Sequence, residues 1–176
     1  AIMAIIHAGG SDIGRKRKTN QDSICMAPDH LFFAVADGMG GHNGGDIASQ
    51  MSVKLMPEFL RGHGDFEPRD LMVGLIRDVN LRIHHHSEEK PELKGMGTTV
   101  SAIMFHGPQL YIGNVGDSRV YLIHNGMIFQ MTRDHSFVQE KLSMGIYGRE
   151  DTALDKQKNV LVRSVGFESD VAVDVY

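Results

Sequence analysis

Five glycines fall within the eight residues from Gly38 to Gly45, directly behind Asp37. The apolar run Leu31–Ala36 leads into that aspartate, so its carboxylate is expected at the rigid end of a strand. Glycines let backbone pass close to a bound group. Carboxylate and carbonyl oxygens are hard ligands, suited to Mg²⁺ or Mn²⁺. A nucleotide-binding loop would need Gly-Lys-Ser/Thr to follow, and here Asp46 and Ile47 follow instead. A plain strand–turn–helix junction remains the competing reading, although it needs fewer glycines.

Two further clusters carry chemistry. Arg15-Lys16-Arg17-Lys18 is followed by Thr19-Asn20-Gln21 and Asp22. Such a charge run commonly forms a solvated face. Here it also places a guanidinium, whose planar fork suits phosphate oxygens, in one loop with a carboxylate. In Gly113-Asn114-Val115-Gly116-Asp117-Ser118-Arg119, two small-residue steps present another aspartate. Taken alone, that stretch is a turn with an exposed acid. Cys25, between Ile24 and Met26, reads as a buried thiol rather than a nucleophile. His84-His85-His86 ends an amphipathic stretch, and three adjacent helical residues cannot converge on one ion. The 11 methionines lie on apolar faces and read as core filling.

These clusters must be held by regular elements. Ile2–Ala8, Ser23–Met26 and Leu31–Asp37 read as strands, the last one apolar enough to be buried on both faces. A turn at Ala27-Pro28-Asp29-His30 joins the second to the third. Ile47, Met51, Leu55 and Phe59 recur at helical spacing between Gly45 and Leu60. Leu71, Leu75, Val79 and Ile83 do so from Arg69 to about His86, with Pro68 in the first turn. Each helix has one apolar face and should cover a sheet. Thr98–Phe105, Gln109–Val115, Val120–His124 and Met127–Met131 read as strands, and Asn125-Gly126 is a hairpin signal. A short helix is expected over Ser136–Met144, then a polar mobile loop over Gly145–Lys158. Asn159–Ser164 and Asp170–Val175 are further candidate elements. The order of strands, two helices and strands again predicts an α+β layered domain.

Composition narrows the function. The chain has 176 residues, ordinary globular usage and 20 glycines, about 11% against a typical ~7%. A net charge of -4 argues against nucleic acid as a partner. No apolar run approaches the ~18–20 residues of a membrane helix. One cysteine allows no internal disulfide and favours a reducing compartment, so the cytoplasm is expected.

Together the segments Arg17–Asp22, Val35–Gly41, Gly95–Thr99, Gly113–Arg119 and Thr132-Arg133-Asp134-His135 resemble the metal-dependent protein phosphatases of the protein phosphatase 2C family. Asp-Gly-Met-Gly-Gly followed by His42 resembles its bacterial branch. The resemblance implies a four-layer α/β/β/α sandwich of two mostly antiparallel sheets flanked by helices. It implies hydrolysis of phosphoserine and phosphothreonine in proteins, by water activated on a binuclear Mg²⁺ or Mn²⁺ centre. By family position, Asp37 bridges the two metals, Gly38 lends its carbonyl, and Asp22 acts through metal-bound water. Arg17 holds the substrate phosphate, and Asp117 matches the site of a third, weaker metal. Phosphoproteins made by Ser/Thr kinases are the implied substrates. Gly145–Asp151 falls where the family has a flap beside its active site.

The chain departs from the family pattern in places. Gln21 replaces the usual glutamate, and Met39 stands where many eukaryotic members carry a histidine. The family continues with Asp-Gly and Asp-Asn motifs that this sequence, ending at Tyr176, does not contain. Residues 1–176 are therefore expected to be a single, incomplete catalytic domain lacking its last strands and helices. Two other functions stay open on these grounds: a phosphatase-like regulatory or binding module without catalysis, and an inactive fragment of an active enzyme.

Overall fold

The computed structural model describes residues 4–40 and 44–176. Its elements run β1 (Asp22–Ala27), β2 (Phe32–Met39), α1 (Gly45–Gly62), α2 (Pro68–Glu89), β3 (Gly97–Thr98), β4 (Val100–His106) and β5 (Gln109–Val115). There follow β6 (Tyr121–His124), β7 (Met127–Gln130), α3 (Phe137–Ser143) and β8 (Asp174–Val175). One antiparallel sheet has the order β1-β2-β4-β5-β8, with β3 pairing the far end of β2. The hairpin β6–β7 forms a second, two-stranded sheet. The expected α+β architecture of antiparallel sheets with flanking helices is present.

Strand alternation divides the large sheet into two faces. Phe32 and Ala34 of β2 and Val100 and Ala102 of β4 pack with Ala48 and Met56 of α1 and with Leu75, Ile76 and Val79 of α2. Burying a side chain such as Leu75 or Ile76 is worth roughly 1.5–3 kcal/mol, and both are fully enclosed. In α2 the buried residues follow the expected stripe, whereas in α1 the buried face is Ala48, Ser49, Ser52, Met56 and Leu60, and Ile47, Met51, Leu55 and Phe59 are half-buried beside it. Pro68 begins α2, and the Glu67 side chain caps it by accepting from the Arg69 N–H.

The opposite face differs from the sequence expectation. β2 is buried on the helix side only: Val35 is 42% exposed on the opposite face, which also carries Asp37. Its apolar residues Phe33 and Val35, with Ile24, Met26, Ile103 and Phe105, line a groove of ≈ 510 Å³ whose far wall is residues 5–10. Residues 4–8 form no strand and pair with none of the sheet, and residues 5–8 line that groove; Ile2 and Met3 are outside the described residues. An apolar run thus looked doubly buried when only one layer covers it.

The hairpin turn and the short helix stand where expected, and the two segments after them do not. Asn125 (φ 50°) and Gly126 (φ 75°) both take positive φ at the β6–β7 turn. Ser136 caps α3 by accepting from the Gln139 N–H. The polar segment after α3 is folded: it contains a 3₁₀ turn at Arg149–Leu154 and is clasped at Asp155. The Asp155 Oδ2 accepts from Lys141 Nζ and Tyr147 OH, each at 2.7 Å. Asn159–Ser164 forms no strand, only an isolated bridge between Leu161 and Ser136.

Candidate active site

The antiparallel register sets Asp22 directly opposite Asp37. Partners in such a pair have Cα atoms about 4.5–5.5 Å apart, so two like charges face each other. Partial burial pushes the Asp37 carboxyl up from an ordinary 3.8 to about 6. Asp22, which shares a hydrogen bond with it, and Asp117 add to the rise, while Arg17 opposes it. Asp22 and Asp37 line one cleft of ≈ 310 Å³ with Gly10, Ser11, Asp12 and Ser118. The cleft lies on the sheet face away from the helices.

The glycines behind Asp37 are explained by a close approach. A Cβ on Gly38 would stand 1.9 Å from the Gly45 carbonyl oxygen and 2.7 Å from that of Gln21. The first turn of α1 therefore abuts the end of β2. The Gly38 N–H donates to the Gln21 carbonyl at 2.9 Å, which fixes the chain just before Asp22 against the chain just after Asp37. Gln21 itself packs its amide against Gly45. His42 lies outside the described residues, as do Gly41 and Asn43.

Thr99 grips Asp37 from the other side. Its hydroxyl accepts from the Asp37 N–H at 3.0 Å, and its own N–H donates to the Asp37 carbonyl at 2.9 Å. That hydroxyl also hydrogen-bonds Ser118 Oγ at 2.6 Å, tying the Asp117 turn to the Asp37 backbone. Burial raises the Asp117 carboxyl above its ordinary value and Asp134 adds to this, against its own backbone bond and Arg119. Arg119 is itself held by a two-point pair with Asp134, at 2.9 and 2.6 Å.

His135 is a residue whose part the sequence reading left unassigned. It is 5% exposed. Its Nδ1 accepts from the Gly116 N–H at 3.0 Å, which assigns the proton to Nε2. Nε2–H donates to Asp174 Oδ2 at 2.7 Å, and Arg163 donates to Asp174 Oδ1 at 2.9 Å. Burial alone would raise the Asp174 carboxyl; the bonds from His135 and Arg163 prevail and hold it below the ordinary range. Gly116 (φ 107°) precedes Asp117, so this relay sets where Asp117 sits. The Thr132–His135 motif was visible, but its link to Asp174 spans 39 residues and carries no local signal.

The donor set suits a hard cation in part. Asp22 and Asp37 are paired carboxylates, one held near pH 6, whose mutual repulsion a divalent ion would relieve. Among the described residues, no group of three or more His, Cys, Asp or Glu side chains stands ready to hold an ion. The Asp22–Asp37 pair could hold an ion at the cleft; Asp117 is near enough to raise the Asp37 carboxyl but does not line that cleft. Arg17 is exposed and near enough to Asp37 to pull its carboxyl down.

Comparison with known proteins identifies the family. Residues 10–156 match the family model described as protein phosphatase 2C. The serine/threonine phosphatase stp of Listeria monocytogenes serotype 4b (strain F2365) is 39% identical over 173 residues, covering 94% of this chain and 69% of the relative. The serine/threonine phosphatase Stp1 of Staphylococcus aureus superposes with a TM-score of 0.86 at 30% identity, over 94% of this chain and 67% of that one. The catalytic domain of the serine/threonine phosphatase PstP in complex with two manganese ions gives a TM-score of 0.80 at 31% identity, over 95% and 70%. The chain belongs to the protein phosphatase 2C family. Its matched relatives are named as phosphatases, which does not favour the reading as a binding module without catalysis.

Proposed function

We propose that this chain is the greater part of a metal-dependent phosphatase domain that hydrolyses phosphoserine and phosphothreonine in proteins. The observation that carries the proposal is the Asp22–Asp37 pair, facing across two strands at an open cleft with a guanidinium nearby. Asp37, the Gly38 carbonyl and Asp22 would hold Mg²⁺ or Mn²⁺, with Asp117 available to a further ion. When bound, such ions supply Lewis-acid charge to phosphoryl oxygens and make water a better nucleophile at neutral pH.

The chain's own groups do the rest. Arg17 binds phosphoryl oxygens through its fork and offsets the charge that develops on them. Thr99 holds the Asp37 backbone on both sides, so the carboxylate keeps its direction as substrate enters. The cleft is open along one side, as a phosphorylated segment of another protein requires. A covalent route through Cys25 is disfavoured: burial pushes that thiol up to about 11, which keeps it protonated and unreactive at neutral pH. A buried, free Cys25 also suits the reducing cytoplasm, where such an enzyme would oppose Ser/Thr kinases. No helix among the described residues is long and apolar enough to cross a membrane.

The test is hydrolysis of a phosphothreonine peptide with Mn²⁺ present. Release of phosphate that needs the metal and disappears in Asp37→Asn is expected. Equal release by Asp37→Asn would refute the proposal.

A further inference from the structure

The loop Arg15–Lys18 holds four consecutive positive charges in a chain whose net charge is -4. Residues 11–19 are all exposed. No ion pair joins Arg15, Lys16, Arg17 or Lys18 to a carboxylate among the described residues. Four neighbouring like charges repel one another, so the loop gains from an anion that comes from outside.

The loop is also fastened to the cleft. Asn20 Nδ2 donates to Ser11 Oγ at 2.7 Å, closing the two feet of the loop together. The Asn20 Oδ1 accepts from the Asp22 N–H at 3.0 Å, so the same side chain fixes the loop to the first residue of β1. Near the other foot, Asp12 Oδ1 accepts from the Gly14 N–H at 2.7 Å, turning the chain where Gly14 takes φ 75°. Ser11 and Asp12 line the cleft beside Asp22 and Asp37. The cations are therefore carried at its rim.

We propose that Arg15, Lys16 and Lys18 form a subsite for acidic residues flanking the phosphorylated residue, so that the preferred substrates are acidic phosphopeptides. The inference rests on the phosphatase reading of the cleft. Extended peptide advances about 3.3–3.6 Å per residue, so flanks two or three positions from a phosphate in the cleft reach the loop. The paired aspartates alone would repel an acidic peptide, and the loop reverses that sign locally. Screening over about 8 Å at physiological salt limits the effect to near flanks. The net negative charge of the rest of the chain disfavours an extended polyanion such as nucleic acid or a lipid surface.

The test is binding of fluorescent phosphothreonine peptides by anisotropy in EDTA, so that turnover plays no part. Peptides with aspartate flanks are expected to bind about tenfold tighter than those with serine flanks at low ionic strength, with the ratio shrinking as salt rises. In the triple variant Arg15→Gln, Lys16→Gln, Lys18→Gln, with folding checked by its melting curve, the ratio falls to about twofold or less. Equal affinity for the two peptides overturns the inference, as does a ratio that survives in the triple variant. Equally tight binding of the unphosphorylated acidic peptide, or of phosphatidylserine vesicles with no preference among peptides, also overturns it. Absence of Mn²⁺-dependent hydrolysis counts against the phosphatase reading instead, and leaves this binding ratio readable on its own.

Discussion

Replacing Gly38 by alanine tests whether the approach of α1 to the end of β2 builds the site. The added Cβ would lie 1.9 Å from the Gly45 carbonyl oxygen, 2.4 Å from its carbon and 2.7 Å from the Gln21 carbonyl oxygen, whereas real Cβ contacts essentially never fall under 3.0 Å. All three neighbours are backbone, so no side-chain rotation relieves the clash. Either α1 or the end of β2 must move by about 1 Å. Overpacking of this kind costs about 3 kcal/mol. For a chain of this length, each kcal/mol lowers Tm by roughly 2–4 °C, so a fall of roughly 6–12 °C is expected by differential scanning fluorimetry. Gly62→Ala is the control, since nothing lies within 4 Å of its Cβ and it ends α1. That variant should melt within about 2 °C of the parent, or slightly higher, because alanine restricts the unfolded chain. A Gly38→Ala protein that melts like the parent would refute the close-approach argument, and with it the account of the glycine cluster.

Two further outcomes follow from the same geometry. His135→Ala leaves the buried Gly116 N–H without its partner, takes one bond from the Asp174 carboxylate, which keeps Arg163, and opens a cavity, at a cost of about 2–4 kcal/mol. Hydrogen exchange should show the Gly116 amide losing protection; unchanged protection would contradict the relay. In EDTA, Asp37→Asn should raise Tm, because it removes a charge that is partly buried and faces a second carboxylate. The sign has a pH window: the folded Asp37 carboxyl is raised from 3.8 to about 6, so the folded state binds more protons in that interval and loses stability as pH rises through it. The gain in Asp37→Asn should therefore be small near pH 4 and full above about pH 6, and a gain independent of pH would contradict the penalty on the Asp37 charge.

Much of this was legible in the residues themselves. The helical spacing of Leu71, Leu75, Val79 and Ile83 marked α2, and those four residues are buried as their period requires. Asn125-Gly126 marked its hairpin because few residues accept positive φ in succession. The glycines after Asp37 pointed to a close approach, although not to which backbone would come near. What escaped was long-range or depended on what lies opposite. Leu31–Ala36 is apolar, yet local pattern cannot say whether one layer or two will cover a strand, and Val35 faces a groove. Ile5 and Ile6 have the composition of a strand without pairing to the sheet. Thr99 was part of a matched motif, but its grip on Asp37 crosses 62 residues. The segment after α3 looked mobile because it is polar, and the clasp of Lys141 and Tyr147 on Asp155 that folds it arises from polar groups.

The central claim is that Asp22 and Asp37 are paired to hold a divalent cation. A calorimetric Mn²⁺ titration of the chain beside its Asp37→Asn variant tests it most directly. The account predicts saturable binding to the parent and its loss in the variant. No binding to the parent, or the same isotherm for both proteins, would contradict it.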